Sequence, residues 1–400
     1  MKALVLETSS RQASVEDLPV PVPGRGEVLI RVHAVALNPV DQIYVSSPIA
    51  AQEKRVVGTD FAGVVVEAGP DLANSSDTRT KSGTRVAGFL QGVSFVLTLA
   101  DIPMMAACSV NDRPGAFAEY IVAPYDLTWA VPSGLSLEEA STISMCGLTA
   151  AQGLFTRLGL PSPFSTTQTQ HGQSTKPIKI LIYGSSTSVG LYAAQLTQLA
   201  ASAAGLKILL IGVASPSKHE FLRQKPYGYD ELFHYRDPKW TDKVKALTNG
   251  KGVDFALDCI SEDASVYGTH ETLSSSAKFG VFRGPVGGRY DPSKLSTKPI
   301  YGAVWEGLGV EIGYNGAIIP ANPEAREFAK EFFNFLSTES SSGRAHLEPN
   351  PVRVMPGGLE RIVPDGLALL GSGSVSKRAN VIRKEEYMRS ISAEKLVYKI

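Results

Sequence analysis

Cysteine is scarce in this chain: three in 400 residues, at Cys108, Cys146 and Cys259. An odd number of widely separated thiols gives neither a disulfide framework nor paired metal-ligand spacing, and fits buried structural cysteines in a reducing compartment. Net charge is missing as well. Thirty-nine Lys and Arg balance thirty-nine Asp and Glu, so no bulk field draws the chain to nucleic acid or to an anionic membrane. No run approaches the ~18 uninterrupted apolar residues of a spanning helix. The opening Met1-Lys2-Ala3-Leu4-Val5-Leu6-Glu7 turns acidic too soon for a secretory leader and reads as a first strand. The expectation is a cytoplasmic protein without nucleic-acid or membrane partners.

What is present is apolar content for a sizeable core, 43% hydrophobic residues, in a length that suggests roughly two domains of ~100–200 residues each. The first third is rich in strands and turns. Residues 27–35 alternate apolar and polar, as a half-buried strand does, after the extended Pro19-Val20-Pro21-Val22-Pro23-Gly24 run. From about residue 137 the character changes. Ser136-Leu137-Glu138-Glu139 resembles a capping box and predicts a helix through 155. Residues 160–177 read as a solvated loop. Lys179-Ile180-Leu181-Ile182-Tyr183, a glycine turn, a helix over 189–199 and Lys207-Ile208-Leu209-Leu210-Ile211 then form a βαβ unit, which implies a parallel sheet. Further strands are predicted at 233–235, 253–258 and 278–282. A helix is predicted over 324–336, with Phe328, Phe332 and Phe335 as a core stripe. Residues 337–343 read as a low-complexity loop.

The turn Gly184-Ser185-Ser186-Thr187-Ser188-Val189-Gly190 lies where an apolar strand passes into a helix. Such a turn aims backbone N–H groups and a positive helix end at a pyrophosphate, and its small residues admit the phosphate. An ordinary βα turn is the alternative, with Ser185 standing where a glycine is expected. At the end of the next strand, Val213-Ala214-Ser215-Pro216-Ser217-Lys218 lacks the acidic residue that accepts a ribose 2′-hydroxyl in NAD enzymes. Ser215 and Lys218 can bind a 2′-phosphate by hydroxyl donation and by charge, which favours NADPH. Lys218 also fits a solvated helix start.

Leu37-Asn38-Pro39-Val40-Asp41, Val57-Gly58-Thr59-Asp60-Phe61-Ala62-Gly63, Gly83-Thr84-Arg85-Val86-Ala87-Gly88 and Gly115-Ala116-Phe117-Ala118-Glu119-Tyr120 resemble the medium-chain dehydrogenase/reductase superfamily in order and spacing. The Ser186-Thr187-Ser188 turn, the Ser215-Pro216 pair and His234-Tyr235-Arg236-Asp237-Pro238 are similar to the trans-acting enoyl reductases of fungal polyketide pathways. The resemblance implies a Rossmann doubly wound parallel sheet over 151–324. It also implies a GroES-like, β-rich catalytic domain built from 1–150 and 325–400. Zinc-dependent relatives have a cysteine where Asn38 stands and a His-Glu pair where Thr59-Asp60 stands, so no metal is expected; Asn and Thr are poor ligands for zinc. The structural zinc lobe of those relatives needs four cysteines, against Cys108 alone over 90–111.

The resemblance further implies contacts to NADPH from Val40, Asp41, Gln42 and Ile43, from Ser186, Thr187, Ser188 and Val189, and from Ser215, Pro216, Ser217 and Lys218. Tyr235, Phe282 and Arg283 join them, as do Ser392 and Ala393. Cys146, Gly147, Leu148, Thr149 and Ala150, with Val310, Glu311, Ile312, Gly313 and Tyr314, would line an acyl pocket. The family's C-terminal signature is matched at 391–398 rather than at 375–377, which makes 372–389 an insertion. Close relatives carry a lysine two residues after the motif's aspartate, where this chain has Ile43.

The chemistry so implied is hydride transfer to the β-carbon of an α,β-unsaturated carbonyl, then protonation at the α-carbon. Thr149 and Tyr314 are the candidate catalytic residues, with Tyr301 a second candidate proton donor. The substrate would be a small molecule or an acyl chain tethered to a carrier protein, with a polyketide synthase as partner and a monomer as the default state. A quinone or ketone reductase on the same fold stays open. So do a redox-neutral member that keeps the cofactor pocket, to which Ile43 gives weight, and a crystallin-like binding module.

Overall fold

The structure is a computed structural model. It describes residues 1–47, 53–91, 114–164, 176–314, 317–338, 345–373 and 383–400, with the backbone alone at 313–314 and 317–318. Contacts divide the chain into two units, Met1–Met145 with Trp305–Ile400, and Cys146–Val304. The expected loops at 160–177 and 337–343, the lobe at 90–111 and the alternative signature at 375–377 fall largely or wholly outside the described residues.

The second unit is a six-stranded parallel sheet among the described residues. Its order is Glu231–His234, Ile208–Ala214, Ile178–Tyr183, Val253–Asp258, Leu273–Val281 and Ile300–Tyr301. In sequence order these strands run 3-2-1-4-5-6, the doubly wound arrangement of a Rossmann domain, in which ligands bind outside the carboxyl ends of the strands. The central strands read as apolar runs because both faces are covered. Leu181, Ile211, Val213, Ala256, Phe279 and Val281 are buried with Trp240, Val244 and Val266 from the flanking helices. The helix Ser188–Ala204 ends at Gly205 in the left-handed conformation, the glycine stop its small-residue sequence leads to.

The first unit has a main sheet in the order Val352–Met355, Lys395–Lys399, Glu27–Ala36, Asp60–Ala68, Arg85–Phe89 and Thr128–Ala130, with Tyr120–Pro124 also paired to Glu27–Ala36. A smaller antiparallel sheet joins Gln12–Asp17, Lys2–Glu7 and Lys54–Val56. The last strand of the chain is therefore hydrogen-bonded to Glu27–Ala36, so both ends build one core. This is the α/β pairing of a Rossmann sheet with a GroES-like β-domain.

Several expectations change. Glu27–Ala36 is buried along nearly its whole length, not half-buried, because partner strands and both core faces enclose it; Arg31 alone is exposed. The helix expected through 155 is broken into Leu137–Ala140, Ser144–Ala151 and a π turn Gln152–Arg157. At the break, the hydroxyls of Ser141 and Thr142 donate to the carbonyls of Glu138 and Glu139, local bonds that compete with a continuous helix. In the helix Pro323–Ser337 the fully buried stripe is Phe332, Phe333 and Leu336, with Phe328 and Phe335 half-buried.

The unit boundaries lie at 145/146 and 304/305, against the expected 150/151 and 324/325. Trp305 accounts for the second shift. It is 2% exposed, and its ring centroid lies 6.2 Å from that of Tyr44 and 5.9 Å from that of Phe89. Trp305→Ala is expected to cost about 3–5 kcal/mol in urea unfolding. Hydrogen exchange should quicken in Pro39–Ser46 and Arg85–Phe89 while the six-stranded sheet stays protected. Equal loosening of that sheet would place Trp305 with the other unit.

Candidate functional site

In the Rossmann-type unit the turn after the first parallel strand is held by its own side chains. Gly184 has φ +75°, in the left-handed region. A Cβ at Gly190 would fall 2.3 Å from the Gly184 carbonyl oxygen, so only glycine lets the helix approach the strand this closely. Thr187 caps the helix: its hydroxyl accepts from the Gly190 N–H at 3.1 Å and donates to the Gly184 carbonyl at 2.8 Å. The first-turn N–H groups of Ser188 and Val189 remain as the orphan donors of a 17-residue helix, the geometry that binds an anion. Ser185 does not occupy a glycine's place against a ligand. It is fully buried and its hydroxyl donates to the Ile182 carbonyl at 2.8 Å, which leaves half-buried Ser186 as the residue of the turn's crest.

The register pairs Ala214 with His234, so the residues that follow, Ser215 and Tyr235, come side by side at the carboxyl edge. Ser215 and Lys218 are half-buried, while Pro216 and Ser217 are exposed. The Arg236 guanidinium lies 5.3 Å from the Tyr235 ring centroid. That puts a cation next to Tyr235, just past the third strand, one to which the sequence pattern assigned no role. Phe282 and Arg283 follow the strand Leu273–Val281, and Arg283 is paired with buried Glu262 at 3.4 Å. Cys146, Gly147, Leu148 and Ala150 are buried on the helix Ser144–Ala151, and Thr149 is half-buried. That helix runs into the π turn Gln152–Arg157, a distortion common at functional sites. Tyr301 lies at the sheet edge, 43% exposed.

In the first unit, Asn38, Thr59 and Asp60 form one buried cluster. The Asn38 Nδ2 donates to Thr59 Oγ1 at 2.8 Å and to Asp60 Oδ2 at 2.9 Å. The ammonium of Lys395, 3% exposed, donates to the same Asp60 oxygen and to the Thr142 carbonyl at 3.3 Å. The other Asp60 oxygen accepts the Met145 N–H at 2.9 Å. One carboxylate therefore ties the last strand, the helix start at Asn38 and the residue before Cys146. Lys395 stands in the C-terminal stretch matched at 391–398, but nothing local marks it as Asp60's partner.

Asp41 opens the helix Pro39–Ser46 and accepts the Asn38 N–H at 2.7 Å. Burial pushes its carboxyl up to about 7, an effect that the Asn38 bond partly offsets and the Asp60 charge reinforces. Val40, Gln42 and Ile43 are half-buried on the same helix. Ile43 is a packing residue: a Cβ on Gly373 would fall 2.6 Å from its Cγ1. Lys54, the nearest lysine in sequence, is paired with Glu16 at 3.1 Å. Ser392 is exposed, and Ala393 has φ +55° just before the last strand. Exposed Glu311 and half-buried Val310 precede the hairpin Ile312–Tyr314 with Ala317–Ile319. Ile312 is buried, and the side chains of Gly313 and Tyr314 lie outside the described residues.

Removing one partner of a buried ion pair leaves an uncompensated charge. Lys395→Met is therefore expected to cost about 3–5 kcal/mol, and Lys395→Met with Asp60→Leu much less than the sum of the two single changes. Urea unfolding of the double-mutant cycle measures the coupling. Asp41 sets a pH dependence. Its unfolded carboxyl ionises near ~4, so between there and about 7 the folded chain holds the extra proton and stability falls as pH rises. Asp41→Asn should lose less stability than wild type between pH 5 and 8. An unchanged slope would show that another group carries it.

Comparison with known proteins places this geometry in a family. The alcohol dehydrogenase GroES-like domain matches residues 24–133. The trans-enoyl reductase ACTTS2 of Alternaria alternata is 30% identical over 384 residues, 94% of this chain and 96% of the relative. The crystal structure of CurK enoyl reductase superposes with a TM-score of 0.68 at 17% identity, covering 100% of this chain and 98% of that one. Mycobacterial Rv1454c, solved with NADPH, gives a TM-score of 0.55 at 22% identity over 77% of this chain and 83% of that one. With a full-length relative at that identity and the fold it would require, the chain belongs to the trans-enoyl reductase family of the medium-chain dehydrogenase/reductase superfamily.

Proposed function

We propose that the chain is an NADPH-dependent enoyl reductase that reduces an α,β-unsaturated acyl thioester carried on a polyketide synthase. The observation that carries this reading is the glycine-closed turn at Gly184 and Gly190, at the end of the first strand of a 3-2-1-4-5-6 sheet, with Lys218 past the end of the second strand and Arg236 past the end of the third. The site fits the cofactor. Gly190 lets the helix start close against the strand, which leaves the Ser188 and Val189 N–H groups at the turn for a phosphate, and no carboxylate stands at 215–218 to repel a 2′-phosphate. Ser186, Thr187, Ser188 and Val189 are assigned the pyrophosphate, and Ser215, Lys218 and Arg236 the 2′-phosphate, with Tyr235 beside the adenine end.

Bound there, NADPH supplies a hydride to the β-carbon of the substrate. The protein's part is to orient, to exclude water and to manage charge at the carbonyl. Thr149 is assigned a hydrogen bond to that carbonyl, and Tyr314 the proton delivered at the α-carbon. Val40 to Ile43, Phe282, Arg283, Ser392 and Ala393 are assigned to holding the cofactor, and Cys146 to Ala150 with Val310 to Tyr314 to the acyl chain. The Asn38, Thr59 and Asp60 cluster already contains a positive charge, the Lys395 ammonium, and is assigned a positioning role without metal. A cytoplasmic monomer is the working form; among the described residues no helix is long and apolar enough to cross a membrane.

Lys218→Ala and Arg236→Ala should each weaken NADPH binding about tenfold or more, a loss of ~1.4 kcal/mol, and leave NADH binding unchanged. Fluorescence titration with both cofactors measures this; equal losses for the two would remove the 2′-phosphate assignment. Absorbance at the reduced-nicotinamide band with a short α,β-unsaturated thioester should show substrate-dependent oxidation. Tight binding with no oxidation across thioester, quinone and ketone panels would replace the reductase reading with a redox-neutral one.

A further inference from the structure

The loop that follows the fourth strand of the sheet order, residues 259–263, lies against two of the segments assigned to the cofactor within this unit, the turn after the first strand and the stretch at 282–283, and none of its residues has been given a role. On one side the Cys259 N–H donates to the Tyr183 carbonyl at 2.9 Å. There too, the Ile260 side chain lies 3.0 Å from where a Cβ on Gly184 would stand. On the other side the Ser261 hydroxyl, fully buried, accepts the Phe282 N–H at 2.8 Å and donates to the Asp258 carbonyl at 2.6 Å. The Asp263 N–H donates to the Gly288 carbonyl at 2.7 Å.

The loop is held in a conformation that its residues disfavour. Ser261 has φ +56° and Asp263 φ +33°, both in the region open at no cost only to glycine. Such strain persists where surrounding bonds over-determine it, and here they do. The buried Asp258 carboxylate accepts the N–H groups of Ile260 and Ser261, each at 2.8 Å, and the Ser265 hydroxyl at 2.6 Å. Buried Glu262 pairs with Arg283 at 3.4 Å and Arg289 at 3.6 Å. Stored strain without a bond network around it would relax. With one, it fixes the backbone.

We infer that Ser261 is a positioning residue for NADPH: its hydroxyl locks the backbone at Phe282 and Arg283 to the phosphate-binding turn through the 259–263 loop. This rests on the cofactor reading above. Without the hydroxyl the Phe282 N–H loses its acceptor, and the two cofactor segments are free to shift against each other.

Two variants of the full-length chain separate positioning from a merely structural role. Ser261→Ala removes the hydroxyl and keeps the strained φ; Ser261→Gly removes the hydroxyl and relieves it. Melting temperature should therefore drop for Ser261→Ala and stay at or near wild type for Ser261→Gly. NADPH dissociation constants, from fluorescence titration, should rise about fivefold to tenfold in both, with NADH affected in the same proportion. Affinity then follows the hydroxyl and not stability. Ser261→Gly that binds NADPH as wild type does would overturn the inference. So would a loss confined to NADPH, which would point to the 2′-phosphate end. A wild-type chain that binds neither nucleotide would instead remove the cofactor reading itself.

Discussion

The buried carboxylate of Asp60 is the constraint on which the first unit depends. A charge out of water is tolerated only when paired and hydrogen-bonded, and Asp60 meets that demand with groups from three parts of the chain: the Asn38 side-chain amide, the Lys395 ammonium and the Met145 N–H. The Lys395 partner is 335 positions away in sequence. Satisfying one carboxylate thus requires the C-terminal strand to close beside Glu27–Ala36 and the helix at Asn38 to start where it does. The same bonds fix the first turn of the helix that carries Thr149. A wholly apolar cluster would bury as well but would not specify these three partners.

The second unit solves a different problem, the close approach of a helix start to the strand that feeds it. Two glycines and a threonine cap shape the turn after the first strand, and the parallel sheet behind it supplies the carboxyl edge at which Ser215 and Tyr235 come side by side. Here the polar groups are few and the hydrophobic runs many. Stability comes from apolar strands covered on both faces, while chemistry is confined to what protrudes past their ends.

Much of this was legible in the chain because it is local. The apolar runs at 179–183 and 207–211, the small-residue turn between them and the absence of an acid at 215–218 are all read within about forty residues, and they specify a βαβ unit and a binding turn. The turn's detail was not: Ser185, taken for a glycine's replacement, points inward because the Ile182 carbonyl accepts its hydroxyl. The helix expected through 155 breaks because two hydroxyls bond locally at 141 and 142, a competition that periodicity does not register. Trp305 belongs with the first unit because it packs on Tyr44 and Phe89, a preference no flanking residue announces.

By itself the sequence determined the strand-turn-helix-strand unit at 179–211, the character of the two units and the residue types around the turn at 184–190, since these follow from patterns a few residues long. Tertiary structure alone decided that Lys395 neutralises Asp60, that Ser215 and Tyr235 come side by side, that Ile43 packs on Gly373, and that Ser261 bridges Asp258 and Phe282. Each of these depends on a partner brought near by folding, and the strength of a buried charge or hydrogen bond is set by that surrounding and not by the residue's own neighbours in the chain.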